Sequence, residues 1–117
     1  MFWTKNTTFE NVDLAAVKRG LADELLLIVD VREPQEFAAG HIPGSLLMPM
    51  SSFDPAALPR VEGKQVILSC QAGVRSLNAL RLAAAGGRTD VHAHFGGGFA
   101  AWRGAGEPVA TGQVRAI

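Results

Sequence analysis

Several features that many proteins have are missing from this chain. No stretch approaches the ~20 consecutive apolar residues of a membrane-spanning helix, and the longest aliphatic run, Leu25 to Val29, has only the length of a strand. Neither sign of charge dominates, since 11 Lys and Arg residues balance 11 Asp and Glu residues. General electrostatic binding to nucleic acid or to anionic lipid is therefore not expected, and any anion chemistry must be local.

Cysteine is nearly absent, since Cys70 is the only one in the chain. A single cysteine forms neither an internal disulfide nor a multi-cysteine zinc site within one chain. Two interpretations stay open at this point: a small buried hydrophobe, the common environment of a free cysteine, or a reactive thiol. We also expect no bound metal, because His92 and His94 share one face of a predicted strand but have no third ligand nearby in sequence. Both histidines are expected on the solvated face of that strand.

The N-terminal sequence MFWTKNTTFENVD has no basic segment, apolar core or cleavage site of a secretory signal. We therefore expect a cytoplasmic protein. A length of 117 residues suits one domain over residues 1–117, which we expect to be a monomer. The tail after Pro108 has no clear pattern and is expected to be loosely ordered.

Aliphatic runs without polar alternation indicate strands that are buried on both faces. The strand candidates, some of them shorter or more polar, are Leu25 to Val31, Ser45 to Met48, Gln65 to Cys70 and Asp90 to Phe95. Glycine, the usual helix stop, follows each of the helical stretches Val12 to Arg19, Pro34 to Ala39 and Ser76 to Ala85. A further short helix, capped by Ser51 or Ser52, is expected to run to Leu58. This alternation predicts an α/β fold, a three-layer α/β/α sandwich with a mostly parallel central sheet.

Cys70 stands at a junction of strand, loop and helix. The loop consists of Gln71, Ala72, Gly73, Val74 and Arg75, and a run rich in leucine and alanine follows it. In open α/β sheets ligands bind at the carboxyl ends of the strands, and a helix N-terminus offers unpaired N–H groups to an anion. The helix terminus and the charge of Arg75 would both favour a thiolate at Cys70. The alternative for Arg75 is a solvated arginine in the first helical turn.

The segment CQAGVRS after a buried strand resembles the active-site loop of rhodanese domains, which a cysteine opens. DVRE at Asp30 to Glu33, followed by Glu36-Phe37, GHIPG at Gly40 to Gly44 and Pro49, resembles the first signature of that family. Gly97-Gly98 with Trp102 resembles the segment that leads into its last helix. Together these segments cover the chain from about Leu25 to Pro108.

The resemblance implies a sulfurtransferase that carries a sulfane sulfur as a persulfide on Cys70, with the amides of residues 71–75 around the sulfur. It implies about five strands in the sheet and no cofactor beyond the covalent persulfide. The partners would be a small donor, such as thiosulfate or a persulfide, and an acceptor that is cyanide, a small thiol or a protein thiol. Gln71 departs from the family pattern, because members that use thiosulfate often have arginine there. The loop therefore carries one positive charge fewer, which puts thiosulfate as the physiological donor in question.

Other polar residues are expected to support this loop. Asp30, Arg32 and Glu33 follow a buried strand and could form an ion-paired cluster near it, with Arg32 the one expected to touch substrate. For His41, which precedes the turn at 42–44, the resemblance suggests a structural hydrogen bond rather than a catalytic base. Trp102 is expected to anchor the last helix in the core.

Two other functions stay open. Some cysteine-dependent phosphatases and arsenate reductases resemble this fold, but their loop has one more residue before the arginine, and here that position holds Ser76. A non-enzymatic module that carries a persulfide or binds a partner would share the same intermediate. The sequence does not separate such a carrier from an enzyme.

Overall fold

The computed structural model describes residues 9–112, and within this range five strands form one parallel sheet in the order β1-β5-β4-β2-β3. The strands are β1 Glu10–Asn11, β2 Leu26–Asp30, β3 Leu46–Leu47, β4 Gln65–Ser69 and β5 Ala93–Phe95. The helices are α1 Leu14–Ala22, α2 Pro34–Ala39, α3 Val74–Ala85 and α4 Gly98–Gly104, with 3₁₀ turns at Met50–Ser52 and Pro55–Ala57. None of the helices in residues 9–112 has the length and apolar character needed to cross a membrane.

Two apolar clusters lie on opposite faces of the sheet. Side chains alternate across a strand, so Val29 and Leu68 pack in the cluster that contains Leu80 of α3. Their neighbours Ile28 and Ile67 pack in the cluster that contains α1 and α4 residues such as Trp102. The central strands are therefore buried on both faces, which explains their unbroken aliphatic runs. The predicted three-layer α/β/α sandwich is confirmed.

Helix α1 does not stop at Gly20, as the sequence led us to expect, but continues to Ala22. A Cβ atom at Gly20 would lie 2.5 Å from the side chain of Leu26. This glycine therefore allows α1 to pack closely on β2 instead of ending the helix. Helix α3 likewise begins at Val74, ahead of the predicted Ser76, because the left-handed Gly73 already serves as its N-cap.

Two short elements of the structure differ from the sequence prediction. The expected helix through Leu58 is two separate 3₁₀ turns, because Pro55 opens the second one after Asp54. Strand β1 was not predicted at all, since it has only two exposed residues and pairs with β5 through its backbone.

The end of the described chain is held in place by hydrogen bonds. The indole nitrogen of Trp102 donates to the carbonyl of Pro108 at 2.6 Å. His41 and Ala110 exchange two backbone hydrogen bonds of 2.9 Å, and the amide of Gly112 donates to Ala38 at 2.9 Å. The expectation of a loosely ordered tail is therefore wrong for residues 109–112, while its remainder, 113–117, lies outside the described residues.

Arg88 is a buried charge that joins the connection before β5 to the 3₁₀ segment. Its guanidinium donates at 2.8 Å to the carbonyls of both Pro55 and Leu58. It also makes two bonds to the carboxylate of Asp90, of 3.0 and 2.9 Å. Every buried donor of this side chain thus has an acceptor, as burial of a charge requires.

Candidate active site

Cys70 directly follows β4, the central strand of the sheet, and is only 1% exposed. Gly73 turns the loop into α3 with a φ of +99°. A Cβ atom there would lie 2.6 Å from the carbonyl oxygen of Gly96. Glycine at position 73 thus satisfies both the left-handed backbone and the close approach of the two loops.

Hydrogen-bond donors of α3 and its preceding turn converge on the Cys70 sulfur. Sγ accepts from the amide of Gly73 at 3.1 Å and from the amide of Ser76 at 3.3 Å, and the Ser76 hydroxyl oxygen lies 3.5 Å away. Burial raises the pKa of the Cys70 thiol, but the Ser76 hydroxyl and the amides of Ser76, Gly73 and Ala72 together lower it below its ordinary value. These contacts therefore favour the thiolate form of Cys70, which is the nucleophilic form of a cysteine. This role of Ser76 does not follow from the sequence motifs, although the residue's position at the start of α3 was an available signal.

Helix α4 sets the direction in which the loop amides point. The amide of Phe99 donates to the carbonyl of Cys70 at 2.9 Å, and the amide of Ala100 donates to that of Gln71 at 3.0 Å. Because the C=O and N–H of one peptide unit point in opposite directions, bonding the Gln71 carbonyl to α4 turns the Ala72 amide away from α4. That amide helps to lower the pKa of Cys70 from its ordinary value.

Arg75, the predicted anion-binding residue, is paired with a carboxylate. Its Nη1 and Nη2 atoms donate to Glu36 of α2 at 2.7 and 3.0 Å, and the Glu36 carboxylate also accepts from the amide of Glu33. Hydrogen bonding from Arg75 lowers the pKa of Glu36 to about 2, against the effect of burial. Glu36 stands out in the sequence only as part of a family signature, so its pairing with Arg75 was not predicted.

Asp30 and Arg32 form the ion pair that the sequence predicted. Arg32 is 2% exposed and donates through Nε and Nη2 to the Asp30 carboxylate, and Nη2 also donates to the carbonyl of Gly40 at 2.7 Å. Its guanidinium carbon lies 4.5 Å from the centre of the Phe99 ring. Only Nη1 faces the cysteine loop, 3.5 Å from the Gln71 side-chain oxygen.

Glu33 and His41 make hydrogen bonds to segments near the cysteine loop and do not contact the Cys70 sulfur. Glu33 accepts from the amide and hydroxyl of Ser51, so it does not join the ion pair of Asp30 and Arg32. His41 Nδ1 lies 2.7 Å from the carbonyl oxygen of Phe37, and the two rings stack 3.7 Å apart. His41 therefore has the structural hydrogen bond that was expected of it.

The two histidines near β5 have different environments. His92 is exposed, as expected, but His94 is only 8% exposed and its Nδ1 lies 2.8 Å from the Ser76 hydroxyl oxygen. The expectation of a solvated face is wrong for His94, because α3 packs over that part of the strand and covers it. Over residues 9–112, no three His, Cys, Asp or Glu side chains are grouped so that they could hold a metal ion.

Comparison with known proteins places this geometry in a family. Residues 13–105 match the family model described as Rhodanese-like domain. The chain belongs to the rhodanese family. The resemblance carried by the cysteine loop and the other motifs is thereby confirmed, and with it the expected sheet of about five strands.

Individual rhodanese relatives cover the chain to different extents. It is 32% identical over 105 residues to human thiosulfate:glutathione sulfurtransferase, covering 78% of this chain and 90% of the relative. It is 37% identical over 105 residues to the uncharacterized protein slr1261 of Synechocystis, covering 88% of this chain but only 58% of that protein. The structure of the human single-domain sulfurtransferase TSTD1 superposes with a TM-score of 0.66 at 31% identity, covering 86% of this chain and 97% of the other.

Proposed function

We propose that this rhodanese domain is a sulfurtransferase that moves a sulfane sulfur from a donor to an acceptor through a persulfide on Cys70. The sulfurtransferase relatives support the general type of activity. The observation that carries the specific proposal is the set of donors around the sulfur, where the amides of Gly73 and Ser76 point at Sγ. Such donors stabilise negative charge on a thiolate, and they would do the same for a persulfide.

In the first half of the cycle the Cys70 thiolate attacks the outer sulfur of the donor. With thiosulfate, a bond forms between the Cys70 sulfur and the sulfane sulfur, the S–S bond of the donor breaks, and sulfite leaves with the bonding electron pair. With a small persulfide the leaving group is the corresponding thiolate. Cys70 is 1% exposed, so the donor must insert its terminal sulfur into the loop.

In the second half a nucleophile attacks the outer sulfur of the persulfide, and the Cys70 thiolate leaves. Cyanide would give thiocyanate, while an acceptor thiolate would give a new persulfide. Because Cys70 is the only cysteine, no second thiol of the same chain can take the sulfur. Turnover therefore depends on an external acceptor, and the proposed cycle uses only the covalent persulfide and no further cofactor.

The charges at the loop favour a donor with less negative charge next to its reacting sulfur than thiosulfate has. Arg75 is paired with Glu36, Arg32 is paired with Asp30, and Gln71 at the exposed rim is neutral. These two ion pairs leave no net positive charge to attract a dianion such as thiosulfate. A thiol-derived persulfide, which has at most one negative charge next to the reacting sulfur, is therefore the favoured donor, although thiosulfate can load the protein at high concentration.

The test is the intact mass of the protein after exposure to each donor. We expect the mass of one sulfur atom to be added by glutathione persulfide and by concentrated thiosulfate, and to be removed by cyanide. Cys70→Ser is the matched control and must not take up sulfur. A sulfur adduct that persists in Cys70→Ser, or robust phosphate-ester hydrolysis by the unaltered protein, would exclude the proposed function.

A further inference from the structure

Cys70, Ser76 and His94 form a chain of polar atoms beneath the loop. The Ser76 hydroxyl oxygen lies 3.5 Å from Cys70 Sγ on one side and 2.8 Å from His94 Nδ1 on the other. Ser76 is 0% exposed and His94 is 8% exposed, so water does not readily replace either contact. The three residues lie in different parts of the fold: Cys70 directly after β4, Ser76 in the first turn of α3, and His94 in β5.

The Ser76 hydroxyl has one hydrogen and more than one possible acceptor. Besides the sulfur and His94, the carbonyl oxygen of Gly73 lies 3.3 Å away. If Nδ1 of His94 has no proton, its short distance makes it the favoured acceptor, and the sulfur loses the hydroxyl donor. If Nδ1 carries a proton, it donates to the Ser76 oxygen and leaves the hydroxyl hydrogen available to the sulfur.

We propose that His94 is a positioning residue for Cys70: it donates from Nδ1 to the Ser76 hydroxyl, which in turn donates to the Cys70 thiolate. The inference deepens the proposed function, since it assumes that Cys70 carries the sulfur. In the thiol form the chain runs in the opposite direction, with the S–H group donating to Ser76 and the hydroxyl to Nδ1. Ionisation of Cys70 therefore reverses both hydrogen bonds.

The electrostatics of the chain agree with a neutral imidazole in this role. Burial lowers the pKa of His94, so the ring carries one proton and must place it on one of its two nitrogens. The charged groups that face the cysteine loop are paired with each other, Arg75 with Glu36 and Arg32 with Asp30. Substitution of His94 leaves both pairs intact, so a changed thiolate can be traced to the hydrogen-bonded chain.

The first experiment measures the pH dependence of Cys70 alkylation in the free protein, without any sulfur donor. His94→Leu is expected to slow alkylation near neutral pH about tenfold. Without the proton on Nδ1, the Ser76 hydroxyl can donate to the carbonyl of Gly73 at 3.3 Å instead of to the sulfur. His94→Asn should recover most of that loss, since its amide N–H can occupy the position of Nδ1. His92→Leu is the matched control, because His92 is exposed and makes no contact with Ser76.

A double substitution tests whether the effect passes through Ser76. In a Ser76→Ala background, His94→Leu should have no further effect on alkylation, because the connecting hydroxyl is gone. Additive effects of the two substitutions would contradict the proposal. So would wild-type alkylation by a folded His94→Leu protein.

Nitrogen NMR of the His94 ring in the unaltered protein keeps the test independent of variant folding. We expect the proton on Nδ1 when Cys70 is ionised, and an unprotonated Nδ1 when Cys70 is a thiol. A proton on Nε2 alone beside the thiolate would overturn the inference. Failure of the unaltered protein to take up sulfur would instead reject the proposed function. The alkylation and NMR results would still show whether His94 orients the Ser76 hydroxyl toward Cys70.

Discussion

At the scale of single residues, Glu36 controls the charge that the loop presents to a donor. Its carboxylate occupies both terminal nitrogens of Arg75, and both side chains are about one third exposed, at 34% and 35%. An ion pair with this exposure is stabilised by only about 1 kcal/mol, because water screens it. A donor anion could compete for Arg75, but it would have to displace Glu36.

Glu36→Gln is therefore expected to improve the use of anionic donors. The substitution frees the charge of Arg75, and the Gln side-chain oxygen can still accept from the Glu33 amide. Sulfur uptake from thiosulfate should rise severalfold at low salt and less at high salt, whereas uptake from a persulfide without net charge should change little.

The measurement is the initial rate of persulfide formation by mass, at limiting donor concentration. Glu62→Gln is the matched control, since it makes the same change of charge at an exposed position that contributes no contact to the loop. Equal gains in the two variants would show a general electrostatic effect and would contradict a specific role of Glu36.

At the scale of secondary-structure elements, the position of α4 depends on Gly98. This residue has a φ of +63°, and a Cβ atom there would lie 2.5 Å from the Cys70 carbonyl oxygen and 2.6 Å from that of Gln71. Those two carbonyls are the acceptors of the first α4 amides. The glycine thus permits the contact that orients the cysteine loop.

Gly98→Ala is expected to lower both stability and thiol reactivity. The new methyl group must push α4 away from the loop, and the left-handed backbone adds strain, for a combined cost of about 1–3 kcal/mol. Urea unfolding measures the first effect and the alkylation rate of Cys70 measures the second.

Gly104→Ala is the control within the same helix, because a Cβ atom there would meet open space. Its unfolding free energy should be unchanged or slightly higher, since alanine reduces the conformational entropy of the unfolded chain. If Gly98→Ala behaved like this control, the close approach of α4 to the loop would not be needed for a reactive Cys70.

At the scale of the whole molecule, two carboxylates make folding sensitive to acid. The pKa of Glu36 is lowered to about 2 by its bond to Arg75, and the pKa of Asp90 is lowered to about 2 by its bond to Arg88. The ordinary values are 4.5 for Glu and 3.8 for Asp. A depressed folded-state pKa contributes stability that is present above the unfolded-state pKa and lost as the pH falls through the folded-state value.

The unfolding free energy is therefore expected to fall between about pH 4.5 and pH 2. The contribution is small, about 1 kcal/mol in total, because both carboxylates are partly exposed and screened by solvent. Urea titrations at about pH 6 and about pH 3 measure the difference, and Glu36→Gln should reduce it. An identical difference in Glu36→Gln and the unaltered protein would show that other carboxylates carry the acid sensitivity.

The order of elements was predictable because it depends on local patterns. Unbroken aliphatic runs such as Leu25 to Val29 predict strands that are covered on both faces, and the helices between them favour parallel pairing. The ion pair of Arg32 with Asp30 was also predictable. The two residues lie at the end of such a buried strand, where a charge must be paired. The motifs identified the family and Cys70 together.

The roles of Gly20, the tail and His94 were not predictable from their neighbours in sequence. Gly20 resembles a helix stop, but the packing of α1 on β2 decides its role. The segment 109–112 has no pattern of its own, and its order comes from bonds to α2, α4 and His41. His94 alternates with apolar residues as a surface strand would, yet α3 covers it.

The sequence by itself determined the α/β class, the family and the candidate nucleophile, because each of these depends on local patterns and short motifs. Only the tertiary structure decided the partners of the charged and polar groups: Glu36 for Arg75, and Ser76 with His94 for Cys70. These partners are brought together by the parallel crossovers of the sheet. A hydrogen bond requires its two atoms to lie about 3 Å apart. The spacing of residues along the chain does not specify which donor and acceptor come that close.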